Sequence, residues 1–147
     1  MKLSGPDLYQ LLPHTGTMCL LQEVLDWDAQ QIVCRTATHR NPTHPLRTPA
    51  GLASIHAAEY GAQAMALHGG LQARAEGKTN PGGYLVSLRG VKLHRGRLDD
   101  LDEPLTVEAH QLLADAGNML YDFTVKTDTT VIAEGRAAVI VESGETS

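Results

Sequence analysis

The chain has 147 residues, 42% of them hydrophobic and 20% charged, which suits one domain, 1–147, with a core of its own. A formal net charge of -5 argues against a general nucleic-acid binder. No apolar run is long enough to span a bilayer and no basic start precedes an apolar stretch, so the reading is a cytoplasmic protein without membrane contact.

"SGPDLYQLLPH" opens the chain as a short helix, with Ser4 as cap, Pro6 and Asp7 in its first turn, and Pro13 as its end. "MCLLQEVLDWD" (18–28) and "IVCRTATHR" (32–40) read as strands of a hairpin turned at "DAQQ". Three prolines make "NPTHPLRTPAG" (41–51) a loop. Thr48 followed by Pro49 then predicts a helix start, and Gly69 and Gly70 predict its stop after Leu67 or His68. A polar connection (71–83) leads to strands over 84–95, with a kink at Gly90, and over 104–115, 119–128 and 130–142. No repeat or low-complexity segment is present.

Short turns between strands imply antiparallel pairing, and one long helix beside such a sheet is an α+β layer. The helix carries little charge on any face, so the sheet is expected to curve around it. One helix cannot cover a sheet of this size, which points to a dimer that joins two sheets. Cys19 and Cys34 lack a CxxC spacing and sit in apolar runs, as buried thiols do.

The helix "IHAAEYGAQAMALHGG" (55–70) is Ala-rich, yet it carries His56, Glu59 and Gln63. His56 and Glu59 are three apart and Gln63 lies one turn on, so the three project from one side. Neither these residues nor the other histidines have metal-ligand spacing, so no metal is expected and no cofactor is implied. Arg89, Lys92, Arg95 and Arg97 concentrate positive charge in "SLRGVKLHRGR".

Three stretches in this order resemble the 3-hydroxyacyl-ACP dehydratases. "LLPHTGTMCLLQEVLDWD" (11–28) is similar to their Leu-Pro-His turn and first strand. "EYGAQAMA" (59–66) is similar to their central-helix signature, and "GYLVSLRGVKLHRGRLDDLDEPLTVEAH" (83–110) to the strand pair that follows. The nearest branch is the dehydratase-like proteins of aryl-polyene and related polyketide or fatty-acid clusters. The resemblance implies the hot-dog fold, an antiparallel sheet wrapped around one central helix. It implies dehydration of 3-hydroxyacyl thioesters on acyl carrier protein or CoA, by a homodimer or a heterodimer with a related subunit.

The elimination needs a base for the α-proton, an acid for the leaving hydroxyl and donors for the thioester oxygen. By resemblance Glu59 handles the hydroxyl, and burial in an apolar helix would favour its protonated form. Gln63 supports the site, and an amide at Ser54 or Gly51 binds the thioester oxygen where the helix dipole helps. His14 matches a family turn residue and reads as structural, with lining the substrate mouth as the alternative. The chain lacks the family's Gly-His-Phe-Pro loop. Two histidines compete for the base: His44, one residue further from Glu59 than the family's loop histidine, and His56 on the helix. An alignment from Asn41 and Pro42 instead places Thr48 at the loop position. The four basic residues of 89–97 would steer an acidic carrier protein. The alternatives are a hot-dog acyl-CoA or acyl-ACP thioesterase and a non-catalytic partner subunit of a dehydratase heterodimer.

Overall fold

The computed structural model describes residues 3–11, 18–77, 83–115 and 117–141. In β5 (Leu105–Asp115) the apolar Leu105, Val107 and Ala109 are buried while Thr106, Glu108 and His110 face outward. In β6 (Asn118–Lys126) Tyr121, Phe123 and Val125 do the same. This period-two pattern builds a sheet with one dry face. The other strands are β1 (Leu3–Ser4), β2 (Glu23–Trp27), β3 (Gln31–Thr36), β4 (Gly83–Leu93) and β7 (Val131–Val141). All pairings are antiparallel, in the order β1-β2-β3-β5-β6-β7-β4.

Register shifts occur within β2–β3, β5–β6, β6–β7 and β4–β7, the last including one between Arg89 and Lys92. Gly90 has φ +59° there, which agrees with the kink expected at that glycine. Bulges increase local twist, and so let a long sheet curve. The helix α1 (Pro6–Tyr9) is one turn, and α2 (Ala57–Ala75) packs on β3, β5, β6 and β7. Tyr60, Ala64, Leu67 and Leu71 of α2 share the core with Ile32, Val107, Phe123 and Val125. The antiparallel sheet around one long helix is the hot-dog fold.

Several boundaries differ from the sequence reading. Ser4 lies in β1 rather than acting as a cap. Met18–Gln22 precedes β2 without strand pairing, and Thr38–Arg40 forms a 3-10 turn after β3. Thr48-Pro49 does not start the helix. Thr48 and Gly51 instead exchange backbone hydrogen bonds of 3.0 and 2.9 Å, a tight turn that Gly51 permits with φ +104°. A 3-10 turn at Ser54–His56 then leads into α2. At its other end α2 runs through Gly69 and Gly70, because Leu71 beyond them is buried in the core. It stops where Gly77 adopts φ +70°, a left-handed helix cap.

Candidate active site

The approach to α2 is held by one carboxylate. Asp99 accepts from Arg97 Nε and Nη2 at 3.1 and 2.6 Å and from the Leu52 amide at 2.8 Å, and Arg47 lies 3.3 Å away. Its side chain is almost wholly shielded, and the Arg97 guanidinium holds its carboxyl well below the usual carboxylate range. The expected amide donors are used within this loop. Gly51 donates to the Thr48 carbonyl, and Ser54 donates to the Gly96 carbonyl at 3.0 Å. The next amide, of Ile55, has no acceptor among the described residues.

His56 and Glu59 follow, both half-buried. Ala58, Ala62, Ala66 and Gly69 recur beside them at helical spacing and are also only partly covered, which makes this the open face of α2. Gln63 turns inward instead. It is fully buried, with Oε1 accepting from the Leu20 amide at 2.8 Å and Nε2 donating to the Met18 carbonyl at 2.6 Å. Its amide clamps the segment before β2, giving one N–H and one oxygen lone pair to that backbone.

His44 sits in the loop beside Tyr60 of α2 and is 5% exposed. Its Nδ1 accepts from the Leu46 amide at 3.1 Å, and its Nε2 lies 3.0 Å from Tyr60 Oη. Tyr60 Oη is 2.9 Å from Thr38 Oγ1, which donates to the Leu20 carbonyl at 2.6 Å. Thr36 Oγ1 donates to the same carbonyl at 2.6 Å. Burial is the main cause that lowers the His44 pKa, with nearby His56, His39 and Arg47 adding to it. Burial likewise pushes the Tyr60 hydroxyl up to about 12, so it stays a neutral donor. The sequence reading missed Tyr60 and the two threonines. The available signal was a tyrosine in an Ala-rich buried helix, whose hydroxyl must find a partner.

A second buried pair lies toward the far end of α2. His68 Nδ1 is 2.7 Å from Tyr121 Oη, and His68 Nε2 donates to the Asp28 carbonyl at 2.8 Å. Cys19 and Cys34 are buried and form no disulfide, and burial pushes the Cys34 thiol up to about 12. His14 lies outside the described residues. The four basic residues divide. Arg95 pairs with Asp100 at 2.8 Å and Arg97 with Asp99, beside the loop leading to α2. Arg89 and Lys92 stand on β4 and line a groove of about 730 Å3 with Arg136, Glu134 and Asp122. His44, His56 and Glu59 do not line that groove. Among the described residues no group of His, Cys, Asp and Glu could hold a metal, and no helix is long and apolar enough to cross a membrane.

This fold has known counterparts. A chain of the dehydratase heterocomplex ApeI:P from Xenorhabdus doucetiae superposes with a TM-score of 0.84 at 21% identity, covering 97% of this chain and 93% of that one. The thioesterase SAV0944 from Staphylococcus aureus superposes at 0.61 with 13% identity, over 82% and 92% of the two chains. The Escherichia coli PaaI protein from the phenylacetic acid degradation operon gives 0.59 with 11% identity, over 80% of each. No curated protein sequence matches. The family model described as ApeP dehydratase matches residues 6–146. That match takes in the loop, α2 and every long strand, and the chain therefore belongs to the ApeP-like dehydratase family.

Proposed function

We propose that the chain dehydrates 3-hydroxyacyl thioesters, presented on acyl carrier protein or CoA, to trans-2-enoyl thioesters. The reading rests on the half-buried His56 and Glu59 at the start of α2, on a face otherwise made of small residues, in a member of a dehydratase family. His56 takes the α-proton. Glu59 gives its proton to the 3-hydroxyl, the C–O bond breaks, and water leaves as the C=C bond forms. The Ile55 amide, with no acceptor of its own among the described residues and at the positive end of the α2 dipole, receives the thioester oxygen as charge builds there. His56 is chosen over His44 because both ring nitrogens of His44 are already engaged.

The acceptor surface for the carrier comprises Arg95 and Arg97 beside the helix approach and Arg89 and Lys92 on β4, which attract an acidic protein. The chain works as a dimer with a related hot-dog subunit or with itself. Edge strand β4 leaves Val86, Leu88 and Leu93 exposed, and a chain of similar fold comes from the ApeI:P heterocomplex.

The test is purified protein with a 3-hydroxyacyl-ACP, followed by the ultraviolet absorbance of the enoyl thioester. Glu59→Gln and His56→Gln are expected to lower kcat/KM by about 100-fold or more. Release of free thiol without enoyl product would replace this reading with a thioesterase. Neither product, from folded protein beside a working control enzyme, would leave a non-catalytic partner subunit.

A further inference from the structure

The hydrogen bonds around His44 run in one direction only. A backbone amide can only donate, so the Leu46 N–H places a lone pair on Nδ1 and the ring proton on Nε2. Nε2–H then donates to Tyr60 Oη. The Leu20 carbonyl can only accept, so Thr38 spends its hydrogen there and must receive from Tyr60. The chain is Leu46 N–H to His44, His44 to Tyr60, Tyr60 to Thr38, Thr38 to the Leu20 carbonyl. It ends on a neutral carbonyl rather than a carboxylate. A second proton on His44 would have to sit on Nδ1, donor against donor with Leu46.

We infer that Tyr60 and Thr38 are positioning residues that hold His44 as a neutral Nε2–H imidazole with no nitrogen for a substrate, so that His44 anchors the 41–48 loop to α2. The charged and titratable groups around the ring agree with this: His56, His39 and Arg47 bear on it, all cationic or able to become so. Tyr60 lies on the inward face of α2 with Ala64, Leu67 and Leu71. With Tyr60 turned inward, the preceding Glu59 is carried toward the open face. The hydrogen-bond assignment stands alone; its consequence for catalysis rests on the dehydratase reading.

The first measurement is a long-range proton–nitrogen correlation spectrum of the imidazoles in the full-length 15N-labelled protein, with His44 and His56 assigned by loss of one signal each in His44→Gln and His56→Gln. The expected spectrum at pH 7 has His44 neutral and protonated on Nε2. An Nδ1–H tautomer, or an imidazolium His44 at pH 7, overturns the inference whether or not the protein is active. The second measurement is the pH–rate profile. Tyr60→Phe and His44→Gln are expected to lower kcat by roughly 10- to 100-fold through misplacement while keeping the acidic limb of the profile. Loss of that limb in His44→Gln with its retention in His56→Gln would make His44 the base and overturn the inference. An inactive wild-type protein would count against the proposed function alone, since the spectrum still decides the state of His44.

Discussion

Phe123 is the chain's one phenylalanine, and two glycines make room for it. A Cβ on Gly61 would stand 2.8 Å from the Phe123 ring, and one on Gly135 would stand 3.0 Å from its far edge. The ring is thus held between helix and sheet and has no space to shift. Gly61→Ala is expected to destabilise by about 1–3 kcal/mol through overpacking, although alanine is the better helix former. Gly69→Ala, where nothing lies within 4 Å, is expected to stabilise by up to about 1 kcal/mol. Urea midpoints of the two variants check both, and equal shifts would refute the packing account. Gln63 makes a related point. Its place in "EYGAQAMA" suggests a site residue, while its amide ties α2 to the backbone of Met18 and Leu20. Both readings fit a glutamine one turn from Glu59; only the neighbouring chain distinguishes them.

At the scale of elements, the loop from His44 to Ala53 decides where α2 begins. A Thr-Pro pair is a good helix start in isolation. Here the Thr48–Gly51 turn uses those residues, and Asp99 reaches across from the β4–β5 connection to take the Leu52 amide. Gly51 is obligatory, since a Cβ there would stand 2.7 Å from both Asp99 carboxylate oxygens. Asp99→Ala leaves the shielded Leu52 amide without its acceptor and Arg47 and Arg97 without their counter-charge. The expected cost is about 1–3 kcal/mol. Faster hydrogen exchange should be confined first to residues 47–56. Uniform exchange across the sheet would show that Asp99 does not act locally.

Among the described residues three imidazoles are buried, of His39, His44 and His68, and burial lowers the pKa of each below 6.5. The unfolded chain therefore takes up protons before the folded one as pH falls. Their contribution to stability is complete above the unfolded pKa and is lost as pH drops below about 6.5 through the folded values. Denaturant midpoints are expected to fall between pH 7 and pH 5, before most carboxylates protonate, and His68→Gln should flatten that slope. A pH-independent midpoint over this window would show that the histidines titrate alike in both states. The same burial joins distant parts: His68 links α2 to the β2–β3 turn and β6, as His44 links it to the loop.

By itself the sequence determined the two α-helices and the six strands β2 to β7, but not the short β1 or the 3-10 turns, together with the antiparallel α+β arrangement and the residues of α2 that draw attention. Period-two alternation, proline placement and the Ala-rich helix are local signals, and local signals survive folding. The length of α2 was not local. Gly69 and Gly70 read as a stop, but the burial of Leu71 outweighs two glycines' conformational cost of about 1 kcal/mol each. The division of labour among His44, His56 and Gln63 was likewise hidden. Each is a polar residue near Glu59 in the sequence, and their roles follow from what lies across the fold: Leu46 and Tyr60 for His44, the Met18–Leu20 backbone for Gln63, and the open face of α2 for His56. A buried polar group must be satisfied by whatever atoms tertiary packing brings to it, and residue spacing along one chain does not name those atoms.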